Sequence, residues 1–99
     1  MDVKLVDRGT EGELLISGDL DTKTARDADA LFAQMSDRFE NITLNMKELE
    51  YVSSAGLRSI RNLYIKLYQN GGKLTLTNVN ENVMEVFEMT GLAGLLNIR

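Results

Sequence analysis

The sequence predicts an α/β fold in one domain, residues 1–99, with the element order β-β-α-β-α-β-α-β. The sheet is expected to be mixed and mainly parallel, with the helices mostly on one face. Three observations predict this. The chain has 99 residues, the size of one domain with one modest core. It opens with two short apolar runs separated by turn formers, the pattern of a hairpin. After that, segments with helical apolar spacing alternate with segments of strand-like alternation. Strands alternating with helices need right-handed crossovers and pair in parallel. Crossovers repeated in one direction stack their helices on one face.

Residues 3–6 read as the first strand, and Asp7-Arg8-Gly9-Thr10-Glu11-Gly12 as a turn-rich link. Residues 13–17, around Leu14, Leu15 and Ile16, read as the second strand. Gly18-Asp19-Leu20-Asp21 is expected to be a loop, with Asp21 or Thr22 capping the helix that follows. In that helix Ala25, Ala28, Phe32, Met35 and Phe39 form an apolar stripe, widened by Leu31. Arg26, Asp27, Asp29 and Asp37 fall off it. Residues 41–46 alternate, with Ile42, Leu44 and Met46 on one side. Lys47-Glu48-Leu49-Glu50 is expected to be a connector to Tyr51-Val52. A second helix is predicted over 55–69, with Leu57, Ile60, Leu63 or Tyr64, and Leu67 facing the core. Asn70-Gly71-Gly72 ends it. Residues 73–77 form a strand with Leu74 and Leu76 inward, and Asn80 caps a short helix carrying Val83, Val86, Phe87 and Met89. Gly91 stops that helix, and 95–98 is a last edge strand. Met35, Met46, Met84 and Met89 sit at core spacings. Tyr64 and Tyr68, one turn apart, are expected to be partly buried.

Composition narrows the function. There is no cysteine and no histidine. That excludes disulfides, thiolate nucleophiles, Ser-His and Cys-His pairs, and any zinc site built on those ligands. No cofactor is expected. Met1-Asp2-Val3-Lys4 opens without a signal-peptide pattern, and no apolar run approaches the roughly 20 residues that span a bilayer. The expectation is a cytoplasmic protein with no membrane insertion. A net charge of −4 argues against nucleic acid as the main partner. Yet there is no Asp or Glu from Tyr51 to Asn80, where Arg58, Arg61, Lys66 and Lys73 lie. This is either chance in a short chain or a locally positive face around an anion site.

The segment Tyr51-Val52-Ser53-Ser54-Ala55-Gly56-Leu57-Arg58 carries the sharpest chemical signal. On the plainer reading one serine is a helix N-cap and nothing more. On the functional reading a hydroxyl is displayed at a helix start, where free amides and the helix dipole favour an anion such as phosphate. Asp19 and Asp21 could pair for acid–base work or for Mg²⁺. The plainer account has one capping the helix and the other solvated.

This segment resembles the phosphorylation loop of the anti-sigma-factor antagonists, the founding branch of the STAS family. Their usual pattern is an apolar or aromatic pair, then Asp, Ser, a small residue, Gly and Leu. Ser54 falls on the phosphorylated serine, Ala55 on the small residue and Gly56-Leu57 on the Gly-Leu pair. Gly18-Asp19-Leu20-Asp21 resembles the family's Gly-Glu-Leu-Asp loop, and Ile42-Thr43-Leu44-Asn45-Met46 the strand leading to the site. Phe87-Glu88-Met89-Thr90-Gly91-Leu92 resembles its Phe-x-x-Ser/Thr-Gly-Leu signature. The resemblance runs in order along nearly the whole chain. There are two departures. Ser53 stands where Asp is commonest, which makes it the second-choice acceptor, and the chain stops at Arg99 where many relatives continue into a helix.

The resemblance implies a STAS fold and a switch rather than an enzyme. Unphosphorylated, the protein binds an anti-sigma factor that is also a serine kinase, and so frees a sigma factor. Phosphorylation on Ser54 ends binding, with Arg58, one helical turn on, able to swing towards the phosphate. A metal-dependent serine phosphatase of the PP2C type resets it. The implied docking loop comprises Asp19, Asp21, Ser53, Ala55, Gly56, Leu57 and Arg58, and the expected state is a monomer. The rival reading is a non-phosphorylated STAS docking subunit of a lipid-transport or transporter assembly. A serine hydrolase is disfavoured, because without histidine no base neighbours Ser54.

Overall fold

The computed structural model describes all residues from Met1 to Arg99. The elements are β1 (Asp2–Arg8), β2 (Glu11–Leu20), α1 (Ala25–Arg38), β3 (Asn41–Val52), α2 (Ser54–Gln69), β4 (Lys73–Thr77), α3 (Glu81–Met89), α4 (Leu92–Leu95) and β5 (Asn97–Ile98). The sheet runs β1-β2-β3-β4-β5 in sequence order. β1 and β2 form an antiparallel hairpin closed by Gly9-Thr10, and every later pair is parallel. Each crossover therefore steps one strand in the same direction, which puts its helix on the same side.

Burial follows the alternation. Leu14 and Ile16 of β2, Ile42, Leu44 and Met46 of β3, and Leu74 and Leu76 of β4 are all buried. The register aligns Leu14 with Leu44, Leu44 with Leu76, and Leu76 with Ile98, giving one apolar row across four strands. The helix stripes close over it: Ala25, Ala28, Phe32, Met35 and Phe39 from α1 and its C-cap, Leu57, Ile60, Leu63 and Leu67 from α2, Val83 and Phe87 from α3. The opposite face of the sheet is polar and hydrogen-bonded to itself. Asn45 Nδ2 donates to Glu13 at 3.1 Å and Asn78 Nδ2 to Asn45 at 3.0 Å, while Arg8 pairs with Glu13 at 2.9 Å.

Several expectations need correction. The connector expected at Lys47–Glu50 does not exist, because β3 continues through it to Val52. β2 likewise extends through Gly18 to Leu20, where a loop was expected. The two strands stay paired across register shifts at Leu15/Ser17 and Gly18/Asp19, with Gly18 at φ +84°. These irregularities space the buried residues of β3 as Met46, Leu49 and Val52, every third residue, which hides the strand period of two. The predicted edge strand over 95–98 shrinks to β5, because the one-turn helix α4 takes residues 92–95. Met89 is 80% exposed and Tyr68 71% exposed. Tyr68 stacks on half-buried Tyr64, ring centroids 6.0 Å apart.

Candidate functional site

The site is built where β2 and β3 end side by side, Leu20 opposite Val52. The Ser53 amide donates to the Leu20 carbonyl at 2.9 Å, which ties the two exits together. Ser53 then has extended backbone, and its Oγ accepts the Gly56 amide at 3.2 Å. This is an N-cap. The helix accordingly begins at Ser54, one residue earlier than its apolar stripe indicated, and the two serines divide the work. Ser53 is half-buried and caps; Ser54 is exposed and is left free of that duty.

Gly56 explains how close the helix comes. A Cβ there would lie 2.5 Å from the Leu20 carbonyl oxygen and 2.8 Å from Leu20 Cγ. Only a residue without a side chain lets the first turn of α2 rest on the end of β2. Leu57 is buried beneath it. Buried Ser59 ties the same turn to α1, its hydroxyl lying 3.4 Å from the Ala25 carbonyl and 3.2 Å from that of Ala55.

The neighbouring loop is fixed by Asp21. One carboxylate oxygen accepts the amides of Lys23 at 2.9 Å and Thr24 at 3.0 Å, while the Asp21 amide donates to Thr24 Oγ1 at 2.9 Å. The Thr24 amide chiefly holds the Asp21 carboxyl below its ordinary pKa; the Thr24 hydroxyl, the Lys23 amide and the Lys23 charge add to this, while burial opposes it. The helix cap expected of Asp21 or Thr22 is not formed: α1 starts at Ala25 with Thr24 at its N-cap position and no side-chain cap bond, and Asp21 instead orders the turn ahead of it. Asp19 is exposed, its carbonyl accepting from Thr24 Oγ1 at 3.0 Å. Asp21 is committed to amides, so the two side chains do not work as a carboxylate pair.

Ser54, Leu57 and Arg58 line a concavity of about 310 Å³ together with Arg61, Thr90 and Leu92. The four lining residues from α2, Ser54, Leu57, Arg58 and Arg61, follow the spacing of one helix face. Thr90 and Leu92 arrive from the end of α3 and the start of α4. The chain's ion pairs join Arg8 to Glu13, Arg38 to Asp7 and Lys66 to Asp37. Arg58 and Arg61 belong to none of them.

The model of the STAS domain family matches residues 5–99. The chain belongs to the STAS domain family. The anti-sigma F factor antagonist of Paenibacillus polymyxa is 32% identical over 88 residues, covering 84% of this chain and 73% of that protein. An anti-sigma factor antagonist from Mycobacterium paratuberculosis has a solved structure that superposes with a TM-score of 0.86 at 18% identity, over 98% of this chain and 83% of that one. The Bacillus cell fate determinant SpoIIAA in its phosphorylated form gives 0.78 at 18% identity, over 99% and 91%. At these identities the solved structures speak for the fold.

Within this STAS domain Ser54 and Arg58 are exposed while Gly56 and Leu57 between them are buried, and the Asp19–Asp21 segment lies beside Ser53 through the Leu20 carbonyl. Arg61, Thr90 and Leu92 join the site only in the folded chain. Two signals pointed to them: the acid-free stretch containing both arginines, and the Thr90-Gly91-Leu92 end of the signature. Of the other cations in that stretch, Lys66 is engaged by Asp37 at 3.9 Å. Lys73 lines a different concavity of about 670 Å³, between the stacked tyrosines and Leu95, which shares no residue with the serine site. No helix of this domain is long and apolar enough to cross a membrane.

Proposed function

We propose that this STAS domain is an anti-sigma-factor antagonist, a cytoplasmic binding protein that catalyses nothing itself. In its unmodified form it binds an anti-sigma factor with serine-kinase activity and frees a sigma factor. The kinase ends the complex by phosphorylating Ser54. The Ser54 oxygen attacks the γ-phosphorus of ATP, an O–P bond forms, the bond to the β-phosphate oxygen breaks, ADP departs, and the hydroxyl proton passes to a base of the kinase. A PP2C-type phosphatase hydrolyses the ester and restores the hydroxyl. The domain acts as a monomer, offering Asp19, Asp21, Ser53, Ala55, Gly56, Leu57 and Arg58 as its docking loop.

One observation carries this reading: the division between the two serines. A capping serine has its oxygen engaged by an amide and half-buried, as Ser53 does. Ser54 is exposed at the first position of α2, on a rim free of carboxylates. Relatives named as anti-sigma factor antagonists support the partner class. The test is incubation with an anti-sigma-factor serine kinase and ATP, followed by phosphopeptide mapping. Phosphate on Ser54 supports the proposal. Phosphate mainly on Ser53 would overturn the assignment, and no transfer with no binding would favour the transporter-docking reading.

A further inference from the structure

We infer that a phosphate on Ser54 is clamped by the guanidinium groups of both Arg58 and Arg61, so that modification also withdraws the positive charge of the docking face. This rests on the reading of Ser54 as the acceptor. The two arginines follow Ser54 by four and seven residues on α2, so their Cα atoms stand about 6 and 10 Å along the helix axis from it. Side chains on a helix lean towards its N-terminus, so both reach back towards Ser54. The long arginine stem and the phosphate's own length close the remaining gap. Both guanidiniums are exposed and outside every ion pair of the chain, so neither must leave a carboxylate to turn.

The surroundings favour this pairing. Besides the serine, the concavity presents the apolar sides of Leu57 and Leu92 and the Thr90 hydroxyl. That hydroxyl is within 2.9 Å of the Val86 carbonyl and 3.2 Å of the Phe87 carbonyl, so it is occupied within α3. None of Glu81, Glu85 and Glu88 on α3, nor Asp19 and Asp21 in the adjoining loop, lines it. Arg58 and Arg61 are the charged residues among its lining. A phosphoserine carries roughly −1.5 to −2 charge near neutral pH, which two guanidiniums match closely. The partner then meets a face whose two free cations are consumed, a larger change than an added anion alone.

The test needs no kinase. The full chain is made with phosphoserine incorporated at position 54, and the second ionisation of the phosphate is followed by ³¹P NMR as a function of pH. A clamp lowers that pKa below that of a free phosphoserine peptide by roughly 0.5 unit or more. Arg58→Ala and Arg61→Ala should each return part of the shift, and the double variant nearly all of it. Arg61→Lys should keep the charge and recover most of the effect, while amide spectra verify that each variant is folded. A titration that matches the free peptide, or a shift that survives the double variant unchanged, overturns the clamp. The latter would assign the phosphate to the helix amides alone. Because the phosphate is placed during synthesis, either result is separate from whether a kinase chooses Ser54.

Discussion

Gly56 and Asp21 show how single residues set the site's shape. A side chain at Gly56 would drive a Cβ into a backbone oxygen, 2.5 Å away, that already accepts the Ser53 amide. A flexible side-chain end could yield, but this carbonyl is held by the strand. Gly56→Ala should therefore lower stability, by roughly 1–3 kcal/mol on the scale of overpacked sites, although alanine is the better helix former. Urea denaturation measures this, and an unchanged midpoint would mean that the helix and strand can separate without cost. Asp21 supplies a pH signature. Its pKa is held down in the folded state by the loop amides, so its contribution is complete above the unfolded value and fades as pH falls through the folded one. Asp21→Ala should consequently be less stable than wild type at neutral pH, with the difference narrowing in acid. A gap that stays constant down to low pH would show that the charged carboxylate is not what orders the loop.

At the scale of elements, the serine-bearing helix depends on its first residue outside. Ser53→Ala removes the acceptor for the Gly56 amide, a loss of about 1 kcal/mol for an N-cap. Ser53→Asp keeps an acceptor there and restores the residue commonest in the resembling family. It should fold normally and still be phosphorylated on Ser54, as thermal melts and site mapping would verify. How much could be read in advance follows the same local physics. The stripes of α1 and α2, the strand over 73–77 and the Asn80 cap were legible because each repeats or is closed by a cap: the Asn80 side chain accepts the Val83 amide at 2.9 Å. The second half of β3 was not, because pairing across bulges broke its alternation. The helix α4 was missed because Leu92-Ala93-Gly94-Leu95 is too short for any period to appear. Met89 was misplaced inside because α3 is only nine residues long, and its last turn carries the helix past the core edge. At the site the segment around Ser54 was visible in the sequence. Its far wall was not assembled, because Thr90 and Leu92 approach only through the tertiary fold.

For the whole molecule, the question is whether phosphorylation changes the fold or only the complex. Ser54 stands at the rim, exposed, while the core cluster draws on β2, β3, β4 and all three long helices. A phosphate there has solvent, free amides and two unpaired arginines within its surroundings, so the folded chain has no reason to rearrange. The penalty should fall on the complex, where a buried interface would have to desolvate the phosphate together with its arginines. Amide spectra of the phosphorylated chain should therefore differ from the unmodified form only near Ser54, Arg58, Arg61 and Thr90. Affinity for the kinase partner should fall at least tenfold, which is about 1.4 kcal/mol. Ser54→Asp carries one charge and no tetrahedral oxygens, so it should reproduce part of that loss. Ser54→Ala should bind like the unmodified protein and stay bound when ATP is added. Calorimetry at one fixed salt concentration measures all four forms. Equal affinities for the phosphorylated and unmodified chains would remove the switch and leave this surface as a constitutive dock.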